Sequence, residues 1–114
     1  MIGESTFPGG YIYTSTDSGI TWTPRTVPGI LTAQWVGFAS SSDGTKLVTG
    51  DPNNGYIYTS TDSGITWTAR QTSFTSNWRA FASSSDGTIL ITGHISSGYI
   101  YTSTNSGVTW TASV

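Results

Sequence analysis

The chain has 114 residues, no cysteine, and a formal net charge of −2 from six acids and four bases. Charged residues make up 9%, well below the roughly 25% of an ordinary soluble chain, and the length suits one small domain. The scattered charges leave no basic stripe for a nucleic-acid backbone, the lack of thiols excludes a disulfide scaffold or thiolate metal site, and no run reaches the ~20 apolar residues of a membrane span.

Nucleic acid and membrane are therefore not expected as partners. Met1 to Pro8 lacks the basic start and apolar run of a secretory leader, so a soluble, unprocessed chain is expected, in a compartment that the sequence leaves open. Serine, threonine, glycine and asparagine fill the polar positions and Trp and Tyr are plentiful, which is the balance of a β-rich protein with many turns.

In chain order, Ile2 to Thr6 reads as a degenerate strand. Gly10 to Thr23 follows, and it recurs letter for letter from Gly55 to Thr68, then with two changes from Gly98 to Thr111, at offsets of 45 and 43 residues. Between the first two copies, Gln34 to Ser41 is expected as strand A of a repeat. Asp43-Gly44 then reads as a two-residue type I′ turn with positive φ at both positions. Strand B is expected over Thr45 to Thr49, a loop over Gly50 to Asn54, strand C over Tyr56 to Ser60 and strand D over Thr66 to Arg70. The second block returns as well: Phe38 to Thr45, with Leu47 and Thr49-Gly50, reappears at Phe81 to Thr88, Leu90 and Thr92-Gly93, and Trp35 returns as Trp78. The loop Gly93 to Ser97 is the later copy of Gly50 to Asn54. No window has the three- and four-residue apolar spacing of a helix.

Four short antiparallel strands at a period near 43 residues are the arithmetic of a β-propeller blade. The expected divisions are a partial blade over 1–33 holding strands C and D, and full blades over 34–76 and 77–114. Such near-identity of copies points to recent amplification or to an engineered, consensus-like chain.

The turn between strands C and D explains itself physically. Asp17 and Asp62 head a Thr-Asp-Ser-Gly turn in which a short carboxylate accepts backbone amide bonds, Ser15 and Ser60 add a second side-chain bond, and Gly19 and Gly64 take the left-handed position. Trp22 and Trp67 are expected to fold their rings against the hairpin, worth on the order of 2–3 kcal/mol if fully buried. The third copy has Ser103, Asn105, Gly107 and Trp110. Its amide keeps the turn bonds but would not easily keep a metal-binding or acid-base role, so these acids are read as structural.

Ser-Thr-Asp-Ser-Gly-Ile-Thr-Trp in two copies, and Ser-Thr-Asn-Ser-Gly-Val-Thr-Trp in the third, resemble the Asp-box, or BNR, repeats of the sialidase-like propellers. The resemblance implies an all-β propeller with the box on the rim, as a structural staple. Members of that superfamily include sialidases, other glycoside hydrolases, receptor ectodomains and assembly factors, so the fold leaves function open.

Catalysis needs its own residues, and the chain supplies few. Of its acids, Asp17, Asp43, Asp62 and Asp86 have turn roles by sequence and Glu4 lies near the terminus, which leaves Asp51. Sialidases resemble one another in an arginine cluster; here Arg25, Arg70 and Arg79 would form one only across copies or subunits. His94 stands where the preceding repeat has Asp51, and it reads as a solvated loop residue. No catalytic residue, metal or cofactor is expected. Candidate ligand contacts are Trp35, Trp78, Arg79, Asp51, Asn53 and His94, with Asn54 beside them. They suit a sugar ring if the tryptophans are exposed, and the competing reading makes both tryptophans blade core.

A propeller closes with roughly four to eight blades, and about two and a half are present. Such a wedge exposes two apolar faces, which a head-to-tail ring of identical chains would bury. The sequence therefore reads as a non-catalytic scaffold or binding module forming a homo-oligomeric ring, dimer or trimer, with glycans as a further ligand class. The alternatives are a ligand-free self-assembling repeat protein, natural or engineered, and a piece of a longer sialidase-like glycoside hydrolase.

Overall fold

The computed structural model describes residues 2–3, 11–27, 35–51, 56–70, 78–94 and 98–113. Eleven strands run through them: β1 (Ile2–Gly3), β2 (Ile12–Thr14), β3 (Thr23–Arg25), β4 (Val36–Ser40), β5 (Leu47–Asp51), β6 (Tyr56–Ser60), β7 (Thr68–Arg70), β8 (Trp78–Ser83), β9 (Leu90–His94), β10 (Ile100–Ser103) and β11 (Thr111–Ser113). All pairings are antiparallel and join neighbours in sequence, giving sheets β1-β2-β3, β4-β5-β6-β7 and β8-β9-β10-β11. No helix occurs among the described residues.

Strand C lies at Tyr56–Ser60 as expected, but three neighbours shift. Strand A is Val36–Ser40, with a bulge between Val36 and Phe38. Gly37 sits there at φ +65°, so close to the next sheet that an added Cβ would stand 2.8 Å from the Arg79 carbonyl oxygen. Strand B begins two residues later than expected and runs to Asp51, because Thr45 and Lys46 are held in the preceding turn. The Thr45 amide donates to Asp43 Oδ1 at 3.0 Å and the Lys46 amide to Ser41 Oγ at 3.1 Å. Strand D begins at Thr68, since Thr66 and Trp67 belong to the box.

The expected type I′ turn at Asp43-Gly44 is also corrected. Only Gly44 has positive φ there, and the Ser41 amide closes a longer loop by donating to the Lys46 carbonyl at 2.9 Å. Two consecutive positive φ values, the type I′ signature, occur instead at Ser18-Gly19, Ser63-Gly64 and Ser106-Gly107.

The sheets stack face to face, with β4 against β8. One core cluster joins Ile12 and Val27 of the first unit to Trp35 and Tyr58 of the second, with Phe38 and Trp67 against it. The next joins Val48 and Ile57 to Trp78, Leu90 and Tyr101, with Val36, Ala39, Phe81 and Trp110 against it. Strands therefore alternate, one side chain to the preceding sheet and one to the following. The two outer faces break the series: Ile91 and Ile100 are 43% and 52% exposed, whereas their counterparts Val48 and Ile57 are 1% and 0%. At the other end Trp22, counterpart of Trp67, is 40% exposed.

Candidate functional site

Each box is a turn that binds itself. In the first, Ser15 Oγ accepts the Gly19 amide at 2.8 Å and donates to Asp17 Oδ1 at 2.8 Å. Asp17 Oδ1 also accepts the Thr21 amide at 2.8 Å, and Oδ2 accepts the Thr21 hydroxyl. The second box repeats these bonds through Ser60, Asp62, Gly64 and Thr66. In the third, Asn105 Oδ1 takes the Thr109 amide at 2.9 Å, while its Nδ2 donates to Thr109 Oγ1 at 2.8 Å. The hydroxyl has turned from donor to acceptor and the geometry is kept. Ser103 Oγ accepts the Gly107 amide at 2.8 Å.

The indoles are held too: Trp22, Trp67 and Trp110 each donate Nε1–H to the carbonyl of the box glycine three residues earlier, at 3.1, 3.0 and 3.1 Å. None of the three rings is fully buried. Trp67 and Trp110 pack on the neighbouring cluster, and Trp22 packs on neither cluster formed among the described residues.

Hydrogen bonds fix the electrostatics of these turns. The Thr21 hydroxyl and amide, then Ser15, hold Asp17 down to about 2 from 3.8. Thr66 does the same for Asp62. In the A–B turns the amides of Thr45 and Thr88 are the main cause of equal shifts, to about 2, at Asp43 and Asp86. All four carboxylates are ionised acceptors with their near lone pairs occupied.

The candidate ligand residues lie elsewhere than expected. Trp35 and Trp78 are 6% and 0% exposed, in edge contact with Tyr58 and Tyr101, both at 5.5 Å. They are blade core, and neither offers a face to a sugar. Asp51 and His94 end strands β5 and β9 and are buried, so the solvated-loop reading of His94 is corrected; its ring lies 5.6 Å from that of Trp78. Arg79 is exposed, Asn53 and Asn54 lie outside the described residues, and so does Glu4. Arg25 and Arg70 donate Nε–H to Thr14 and Thr59 of their own sheets at 3.0 and 2.9 Å.

What composition and spacing missed is a cavity of about 400 Å³ between the first and second sheets, walled by Thr14, Ser15, Thr16, Ser18, Ser42 and Asp43 among others. The corresponding place between the second and third sheets holds about 10 Å³. Lys46 and Leu47 line the second space, and Leu47 borders the first as well.

Residues 13–24 and 58–69 match the family described as BNR/Asp-box repeat. The chain carries BNR/Asp-box repeats. No curated protein matches it. Among solved structures it is similar to "YCF48 bound to D1 peptide", with TM-score 0.69 and 18% identity over 96% of this chain and 37% of that one. It is also similar to "YCF48 from Cyanidioschyzon merolae", with TM-score 0.66 and 20% identity over 90% and 32%. At these identities the likeness is one of fold, and the BNR-repeat sheets are β-propeller blades. The chain spans 37% and 32% of the length of these two structures, so it holds part of a propeller.

Proposed function

We propose that this chain is a non-catalytic propeller module that joins copies of itself head to tail in a closed ring and presents the ring to a ligand. The observation that carries the reading is the pair of unmatched end faces. Ile91 and Ile100 offer the surface that Val48 and Ile57 bury in the next sheet, and Trp22 waits for the packing that Trp67 and Trp110 find. A face built to be buried is covered most simply by the complementary face of the next copy. Three chains of about two and two-thirds blades would reach eight, within the range over which propellers close.

The absence of catalysis is supported by the acids, since Asp17, Asp43, Asp62 and Asp86 serve turns that hold them ionised. Of the ligand classes, glycans lose their aromatic platform with the burial of Trp35 and Trp78. A peptide is favoured by the similar structure described as bound to the D1 peptide. Light scattering on a sizing column tests the ring: a sharp dimer or trimer that holds on dilution is expected, and a compact monomer at every concentration would refute it.

A further inference from the structure

Because all pairings are antiparallel between sequence neighbours, the A–B turns and the boxes leave the blades at one end. Every turn at that end from Ser15 onward lies among the described residues. Within a blade the two turns are tied together: the Ser63 amide donates to the Thr45 carbonyl and the Ser106 amide to the Thr88 carbonyl, both at 2.9 Å.

Each box lifts one β-branched apolar side chain at this end, and all three, Ile20, Ile65 and Val108, are exposed. Ile65 shows that this is not an effect of the outer faces, since its sheet packs against a neighbour on both sides and it is still 62% exposed. The turn makes no use of the side chain. Its bonds come from Ser, Asp and Thr and from the backbone, where the Ile65 amide donates to the Asp62 carbonyl at 3.3 Å. The change to valine in the third box keeps the position apolar.

Charge at the same end is one-sided, because Asp17, Asp43, Asp62 and Asp86 all stand in these turns. Asp43 accepts from Ser41 and Thr45 at Oδ1, and Asp86 from Ser84 and Thr88 at Oδ1. Among the described residues Oδ2 of each keeps its lone pairs for another donor. The same bonds hold both carboxyls down to about 2, so the charge persists at any ordinary pH. Lys46 is the cation of these turns, and its Nζ donates to the Asp86 carbonyl at 2.8 Å.

We propose that this end of the blades is a docking surface for a segment of a partner polypeptide that carries arginine or lysine beside large apolar side chains. The apolar groups cover Ile65 and Val108, and the cations donate to Asp43 and Asp86 at Oδ2. Charge complementarity selects this occupant, since an acidic segment or an anionic lipid surface would meet like charge. A second copy fits poorly, because its cations stand singly in the sequence and Arg25, Lys46 and Arg70 are already hydrogen-bonded. The surface specifies the ligand of the proposed non-catalytic module and rests on that reading, but it lies on single blades and does not need the ring.

The test selects a displayed random-peptide library on the immobilised chain and measures the enriched peptides, made with a fluorescent label, by anisotropy. Enriched sequences should combine arginine or lysine with leucine, isoleucine or phenylalanine, and binding should weaken as salt is added. Ile65→Ser should weaken it roughly tenfold, and so should Asp43→Asn, in which Oδ1 keeps the turn bonds while the free Oδ2 becomes an amide donor. Circular dichroism melts confirm that both variants are folded. No enrichment, enriched peptides without cations, or equal binding to both variants overturns the proposal, as does binding of phosphatidylcholine vesicles that the peptides fail to displace. Peptide binding by a chain that light scattering finds monomeric would sustain the docking surface and refute the ring alone.

Discussion

Gly50 and Gly93 occupy the same position in consecutive repeats, opposite Ile57 and Ile100, and an alanine at each separates packing from propensity. A Cβ at Gly50 would stand 2.9 Å from Phe81 Cζ and 3.2 Å from Trp78 Cβ, whereas at Gly93 nothing lies within 4 Å. The Phe81 ring is half-buried, but Trp78 is 0% exposed and its Cβ moves only with strand β8. Overpacking of this kind costs about 1–3 kcal/mol. Both variants gain the same benefit of roughly 0.5–1 kcal/mol from removing a strand glycine, so that benefit cancels in the comparison. Gly93→Ala should therefore melt above Gly50→Ala by roughly 4–20 °C, read by circular dichroism on dilute protein. Coincident melting curves would refute the account of the blade junction.

Two further outcomes follow from the boxes. In the unassembled chain Trp67→Ala should lower stability by roughly 3 kcal/mol and Trp22→Ala by about 1, since only the first ring packs on a neighbouring cluster, whereas ring closure, which covers Trp22, should bring the two losses together; a smaller loss at Trp67 than at Trp22 in urea melts would contradict that packing. Asp17, Asp43, Asp62 and Asp86 are lowered when folded, from 3.8 to about 2. Their contribution is thus present above the unfolded value and lost as pH falls through the folded one. The melting temperature should drop between pH 3.8 and about 2, and a flat profile across that window would show that these carboxylates do not support the fold.

The repeat and its strands were legible because Tyr-Ile-Tyr-Thr-Ser, rich in aromatic and β-branched residues, recurs at fixed spacing and the box that follows is chemically distinctive. The boundaries were less so. Whether Thr45 or Thr66 starts a strand depends on side-chain bonds to Asp43 and Asp62, which compete with the ladder and leave no mark in a hydrophobic pattern. The left-handed serines Ser18, Ser63 and Ser106 were hidden for a similar reason, since positive φ is not expected of serine and is imposed here by the surrounding turn bonds. Trp35 and Trp78 could be read either as platform or as core, because composition is silent on which face of a strand meets another sheet.

The seam between blades has a consequence for how such a gene changes. At each junction the glycine of one box meets the strand-C threonine of the blade before it: Gly64 with Thr14 and Gly107 with Thr59, where an added Cβ would lie 3.1 and 2.9 Å from the Thr Cγ2. Thr14, Thr59 and Gly64 fall inside the stretch repeated identically at Gly10 to Thr23 and Gly55 to Thr68, and Gly107 inside its near-identical third copy. An unequal crossover within that stretch deletes or inserts one whole repeat, and the new neighbours meet through the same glycine and threonine. Blade number is thus open to variation by single recombination events, while the fit at each seam is inherited unchanged.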